Sequence, residues 1–300
     1  MQSVVRFELT WQTAAVASAC LAAPAVALRA ASRAPAASRA PAVRALAAPR
    51  LAALAAFAQE TGTVLALFAL WQLAGSHQVL GPGGALGRAR WLWHAERVLH
   101  MPSEVDVQRA FLPHPLVVQA FNVYYAGLHF AVLIGCLLWL FFRYRASYLR
   151  VRTTVVLFTG FSLLVQLIPV APPRMLPGLM VDTAVRYGQS VYGNVAGFQA
   201  DQLSAMPSVH IGWALLVAAV IVHVSRSRWR WLALGYPALT TLAVVVTANH
   251  FWLDGAAAAI LLAVALLVQR AAQAVRRQLA RPGPPPGQEE VRPGVSQAAQ

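Results

Sequence analysis

His250 and Asp254 stand four residues apart in Asn249-His250-Phe251-Trp252-Leu253-Asp254, so on a helix they share one face. A carboxylate at that spacing accepts the Nδ1–H of the imidazole, fixes its tautomer and leaves the Nε2 lone pair outward as a nucleophile or base. His210, in Met206-Pro207-Ser208-Val209-His210, opens a different apolar stretch and is placed to supply the acid. Positioned acid catalysis contributes roughly 10²–10⁴ in rate. Pro207 suits a first helical turn, which predicts outward-facing amides at Ser208, Val209 and His210, and a helix start of this kind binds phosphate. Arg174, in Ala171-Pro172-Pro173-Arg174-Met175, adds a planar fork matched to phosphoryl oxygens. The combination describes a site for a transferring phosphoryl group.

Each residue also has a plainer reading. A histidine at a helix end is often structural, Asp254 is a fitting helix cap, and Arg174 fits a lipid-headgroup anchor. Ionisable groups at membrane depth are costly and usually functional, which favours the chemical reading. A rival uses His210, His250 and Asp254 as a two-histidine-one-carboxylate metal site. Arg174 beside a metal cation disfavours it, so no metal and no cofactor is expected. A rival of another class, a transporter subunit or scaffold without enzymatic activity, predicts that His250→Ala leaves function intact.

The elements that must position these residues read as membrane helices. The chain is 58% hydrophobic and only 11% charged, with a formal net charge of +14. This excludes a soluble enzyme, a disordered chain and a disulfide scaffold. All 24 basic residues are arginine, clustered in short runs between long apolar ones, so a nucleic-acid partner is not expected. Six apolar runs are expected to span: 61–74, 117–142, 153–170, 207–224, 231–247 and 251–268. Residues 51–275 then form one catalytic membrane domain. Residues 1–50 read as an Ala/Pro/Arg-rich cytoplasmic tail, since the run Ala14–Leu28 falls short of a span and the repeat ASRAPA at 31–36 and 37–42 reads as a tether. Residues 276–300 read as a disordered tail. Arginines 143–152, 226–230, those of 29–50 and those from 270 onward fall on one side of a six-span chain. The positive-inside rule makes that side cytoplasmic, with both termini there and all four chemical residues at the outer face. Residues 87–101 read as a short interfacial helix.

The motifs PSVH and HFWLD, preceded by PPR, resemble the type 2 phosphatidic acid phosphatase superfamily, the membrane relatives of vanadium haloperoxidases. Within it the chain looks closest to the inositol phosphotransferase branch that contains inositol phosphorylceramide synthase. The resemblance covers about 110–275 and implies an all-α polytopic bundle of six transmembrane helices. It implies that His250 attacks phosphorus to form a phosphohistidine, that Asp254 orients His250, and that His210 protonates the leaving oxygen. Arg174 and Ser208 would hold the non-bridging oxygens. The chain departs from the family where a Ser-Arg pair usually precedes the second histidine, here Ala243 and Val244, and where a lysine usually precedes the first arginine, here Leu167. A less cationic site suits exchange of a phosphodiester better than hydrolysis of a monoester. The expected substrate is a lipid phosphate or phospholipid, with inositol, another polyol or water as acceptor. A plain lipid-phosphate or isoprenoid-diphosphate phosphatase is the alternative. Asn122, Tyr124, Tyr125 and His129 on the second span, and Arg186, Tyr187, Gln189 and Tyr192 in the loop 182–192, are candidates for headgroup contact. The absence of lysine points to a GC-rich genome and a bacterial cell membrane.

Overall fold

Long apolar runs can satisfy their backbone in lipid only as helices, and helices are what the chain forms. The computed structural model describes residues 10–33, 41–76, 82–190 and 202–280. Its helices are α1 (Trp11–Arg33), α2 (Pro41–Ser76), α3 (Ala85–Val98), α4 (Glu104–Phe111), α5 (Pro115–Val123), α6 (His129–Arg143), α7 (Arg145–Gln166), α8 (Thr183–Arg186), α9 (Val209–Val224), α10 (Gly235–Val246) and α11 (Trp252–Leu279). A π-helical turn, Tyr124–Leu128, joins α5 to α6, and a 3₁₀ segment, Arg228–Leu234, leads into α10. Among the described residues there is no strand, only one isolated bridge between Val170 and Ser204.

Six helical stretches are long and apolar enough to cross a membrane: Trp11–Ala30, Pro49–Leu70, Pro115–Arg143, Arg145–Gln166, Arg228–Val246 and Trp252–Leu279. The number agrees with expectation, but the set does not. Residues 11–33 were expected to stop short of a span, yet they form a continuous 23-residue helix with Pro24 inside it. The apolar window there is 20 residues, wider than the Ala14–Leu28 run, because Trp11 and the flanking alanines extend it. The α9 segment, expected as a full span, is a shorter apolar helix of 16 residues. Of the expected tails 1–50 and 276–300, residues 1–9, 34–40 and 281–300 lie outside the described residues, whereas 41–50 open α2 and 276–279 continue α11 as helix instead of tail.

The core gathers the inner faces of α6, α7, α9 and α11, with Leu140, Phe158, Val217, Ala258 and Ala265 at 0–2% exposure. Close approach matters most where α7 meets α9. A Cβ on Gly212 would fall 2.0 Å from the Phe158 ring, which is fully buried and has nowhere to go. Small residues let membrane helices pack this tightly. Large apolar side chains such as Leu164, Ile260 and Leu267 point outward, as lipid-facing positions require.

At one end of the bundle α2 docks on α7 through Glu60. Arg152 donates to its Oε1 at 2.6 Å and the Tyr148 hydroxyl donates to its Oε2 at 2.9 Å. Beside this pair Gln269 donates to the Arg150 carbonyl at 2.7 Å. Arg174, His210 and His250 follow or open helices at the opposite end.

Candidate active site

After α7 the paired prolines Pro172 and Pro173 forbid further helix, and the chain turns through a 3₁₀ segment, Pro173–Met175. That turn buries Arg174 to 8% exposure. Its amide donates to the Ala248 carbonyl at 3.0 Å, its Nε lies 3.3 Å from Asp182 Oδ2, and its guanidinium donates to Asn249 Oδ1. Asn249 is itself fixed by donating to Thr247 Oγ1 at 2.8 Å. The reversal after α10 passes through Ala248 in the left-handed region, at φ 55°, and this re-aims Asn249 and His250 toward Arg174 and α9.

His250 is 4% exposed, and its Nδ1 lies 2.6 Å from the Ala205 carbonyl. A carbonyl only accepts, so Nδ1 carries the proton and Nε2 carries the lone pair. Nε2 is buried with no hydrogen-bond partner. The tautomer is the expected one, but its main determinant is not the expected residue. Asp254 Oδ2 stands 3.4 Å from Nδ1, farther than the carbonyl, because it accepts the Phe251 amide at 2.8 Å and so caps α11. Asp254 is fully buried, and its carboxyl stands beside the ring without a short bond to it.

His210 faces this pair across a ring-centroid distance of 5.6 Å. Its Nδ1 is also buried without a partner. Tyr125 stacks on His210 at 4.4 Å and lies 6.4 Å from His250, so it roofs both rings. Ser208 is the N-cap of α9, its Oγ accepting from Ile211 at 3.4 Å. Its amide donates to the Asp254 carbonyl at 3.0 Å, which corrects the expectation of three outward amides. The helix begins two residues later than expected, at Val209 instead of Pro207, so the first-turn amides without an intrahelical acceptor are those of Val209 and His210.

The remaining candidates separate. Asn122 is committed at both ends, donating to Gln189 Oε1 at 3.0 Å and accepting from Thr183 at 2.8 Å, so it staples α5 to α8. Tyr124 is buried and shares a 2.6 Å hydrogen bond with Thr240. His129 is 0% exposed, parallel to Trp213 and 4.7 Å from His210, so it packs against His210 inside the bundle and not at a surface a headgroup would reach. Arg186 is exposed at the end of α8 beside the Tyr187 ring. Tyr192 lies outside the described residues. The sequence reading missed Asn249, Asp182 and the Ala205 carbonyl. Asn249 and Asp182 were detectable as polar residues flanking the motifs, whereas a backbone carbonyl leaves no trace in residue type.

With the second histidine, its orienting groups and Arg174 on one end of the bundle, comparison with known families is decisive. A family model described as the PAP2 superfamily matches residues 90–268. The chain belongs to the PAP2 superfamily. No curated protein and no solved structure matches it. PAP2 membership points to phosphatase or phosphotransferase chemistry on phosphate esters, with phosphorylated lipid-like substrates in the membrane. The PAP2 match runs from α3 to α11 and takes in Arg174, His210, His250 and Asp254, leaving α1 and α2 outside it.

Proposed function

We propose that the protein transfers a phosphoryl or phosphodiester group of a membrane lipid through a phosphohistidine on His250. His250 Nε2 attacks phosphorus in line, and the bond to the leaving oxygen breaks as His210 donates a proton to it. His210, then neutral, takes the proton from the acceptor hydroxyl as its oxygen displaces His250 and releases the imidazole. Arg174, the Ser208 hydroxyl and the first-turn amides of α9 hold the non-bridging oxygens, whose charge grows in the transition state. The Ala205 carbonyl and the Asp254 carboxylate stabilise the ring on its Nδ1 side when it carries phosphorus. The observation that carries this reading is the buried, partnerless Nε2 of His250, held in its nucleophilic tautomer 5.6 Å from His210.

Transfer to inositol or another polyol is favoured over plain hydrolysis by Ala243 and Val244. They are 0% and 1% exposed in packed apolar surroundings, so the positions that carry Ser-Arg in the family's phosphatases hold no cation here. A diester bears less charge and needs less compensation. The arginine-rich ends of α7 and α11 favour a cytoplasmic placement for the Glu60 end and an outer placement for the site, in a bacterial cell membrane. Both termini share a side only if the crossings are even in number. The six long helices plus α9 make seven, so α1 decides where the chain starts.

Purified protein incubated with labelled phospholipids, with and without inositol, tests the reading. A new inositol-bearing lipid marks a transferase, and free phosphate in both cases marks a phosphatase. If the wild-type protein forms no product of either kind, the proposal is contradicted.

A further inference from the structure

Behind the start of α11 lie two carboxyls that the reaction does not use. Glu96 on α3 and Glu104 on α4 are 0% and 1% exposed. Glu96 Oε1 accepts the amide of Leu253 at 2.8 Å, in the turn between His250 and Asp254. Glu104 Oε2 accepts from Arg97 at 3.1 Å. The second oxygen of each, Glu96 Oε2 and Glu104 Oε1, is buried with no donor, and the two carboxyls are within hydrogen-bonding reach of each other. Two ionised carboxylates cannot occupy such a place, because each only accepts, their charges repel, and burial penalises both. One proton between the orphaned oxygens removes the conflict. Arg97 settles which group holds it. The guanidinium fixes the negative charge on Glu104, and the proton stays with Glu96. Asp254 faces Glu96 from α11 and favours the same outcome.

The hairpin carrying these residues grips α11 at a second point, where Trp252 Nε1 donates to the Pro102 carbonyl at 2.9 Å. Both grips fall on residues lying between the nucleophile and its carboxylate. We propose that Glu96 and Glu104 share one proton and act as a positioning clamp that sets the His250–Asp254 turn. The functional half of this inference rests on the phosphohistidine reading, and the structural half does not.

Burial first, and then the hydrogen bond with Glu104, pushes Glu96 from 4.5 up to about 9, against the pull of the Leu253 amide. The folded chain therefore keeps a proton that the unfolded chain releases. The clamp contributes fully below the unfolded value of 4.5 and weakens as pH rises through the folded value of about 9. Glutamine at this position mimics the protonated acid permanently, accepting from Leu253 and donating to Glu104.

The test is thermal unfolding of the full chain in detergent from about pH 5 to about pH 9, with turnover of labelled phospholipids, diester and monoester, measured in parallel with inositol present. Wild type should lose Tm steadily with rising pH. E96Q should hold its Tm over the same range, keep kcat within about threefold and carry its alkaline limb to higher pH. E96A should unfold at lower temperature at every pH and lose at least about tenfold in kcat with little change in KM. A wild-type pH slope retained in E96Q, or an E96Q as damaged as E96A, overturns the clamp. The unfolding arm needs no substrate. A flat E96Q profile with no turnover in any variant would therefore sink the phosphohistidine reading and leave the shared proton standing.

Discussion

The two ends of the bundle bury polar groups in opposite ways. At one end both oxygens of Glu60 are occupied, by Arg152 at 2.6 Å and Tyr148 at 2.9 Å. At the other, His250 Nε2, His210 Nδ1 and Asp254 Oδ1 are all buried and none has a partner. An unsatisfied buried polar group costs about 1–3 kcal/mol, so three at one site mark a place where stability has been given up. The Glu60 cluster holds helices together, and the proposed function gives the unpaired histidine cluster its partner, a phosphoryl group. Buried charge alone would not distinguish them; the state of the partners does.

The sharpest way to break that comparison is to remove one member from each end. His250→Ala should abolish turnover, by at least about 10⁴-fold, with membrane insertion and Tm near wild type, measured by labelled-lipid assay and unfolding in detergent. His210→Ala should cost about 10²–10⁴-fold, and much of the loss should vanish with an aryl phosphate ester whose leaving group needs no proton. Equal loss on both ester types would remove His210 from the acid role. Glu60→Ala should do the reverse. It strands Arg152 and Tyr148 and lowers unfolding stability by about 1–3 kcal/mol, because Arg152 is part exposed, while kcat per folded molecule stays unchanged. Asn249→Ala sharpens the contrast most finely. It removes one of the side-chain partners of the Arg174 guanidinium while Asp182 stays, and should raise KM about tenfold with kcat changed less, since the arginine remains but is less well ordered before substrate binds.

The site was legible in the sequence wherever a polar residue interrupted an apolar run. His210, His250, Asp254 and Arg174 stand out because lipid makes their presence costly, and the structure gathers them at one end. What orients His250 was not legible, since the Ala205 carbonyl belongs to the backbone and the left-handed turn at Ala248 is made by a residue that gives no sign of it. Glu96 and Glu104 were not legible as buried groups, because their burial depends on the packing of α3 against α11 and of α4 against α10. The fold was legible in its membrane helices except at α9, which is shorter than the expected span, and at α1, where alanine scores weakly and Pro24 suggests a break that the helix absorbs.

The central claim is a covalent bond between His250 Nε2 and phosphorus. Rapid quench of purified protein with phosphorus-labelled phospholipids, a diester and phosphatidic acid in separate runs, followed by mapping of the label, tests it most directly. The account predicts an acid-labile, base-stable phosphate on His250 that forms no later than product and is absent from the His250→Ala variant. Single-turnover product release with no label on the protein, or label on any other residue, would contradict it.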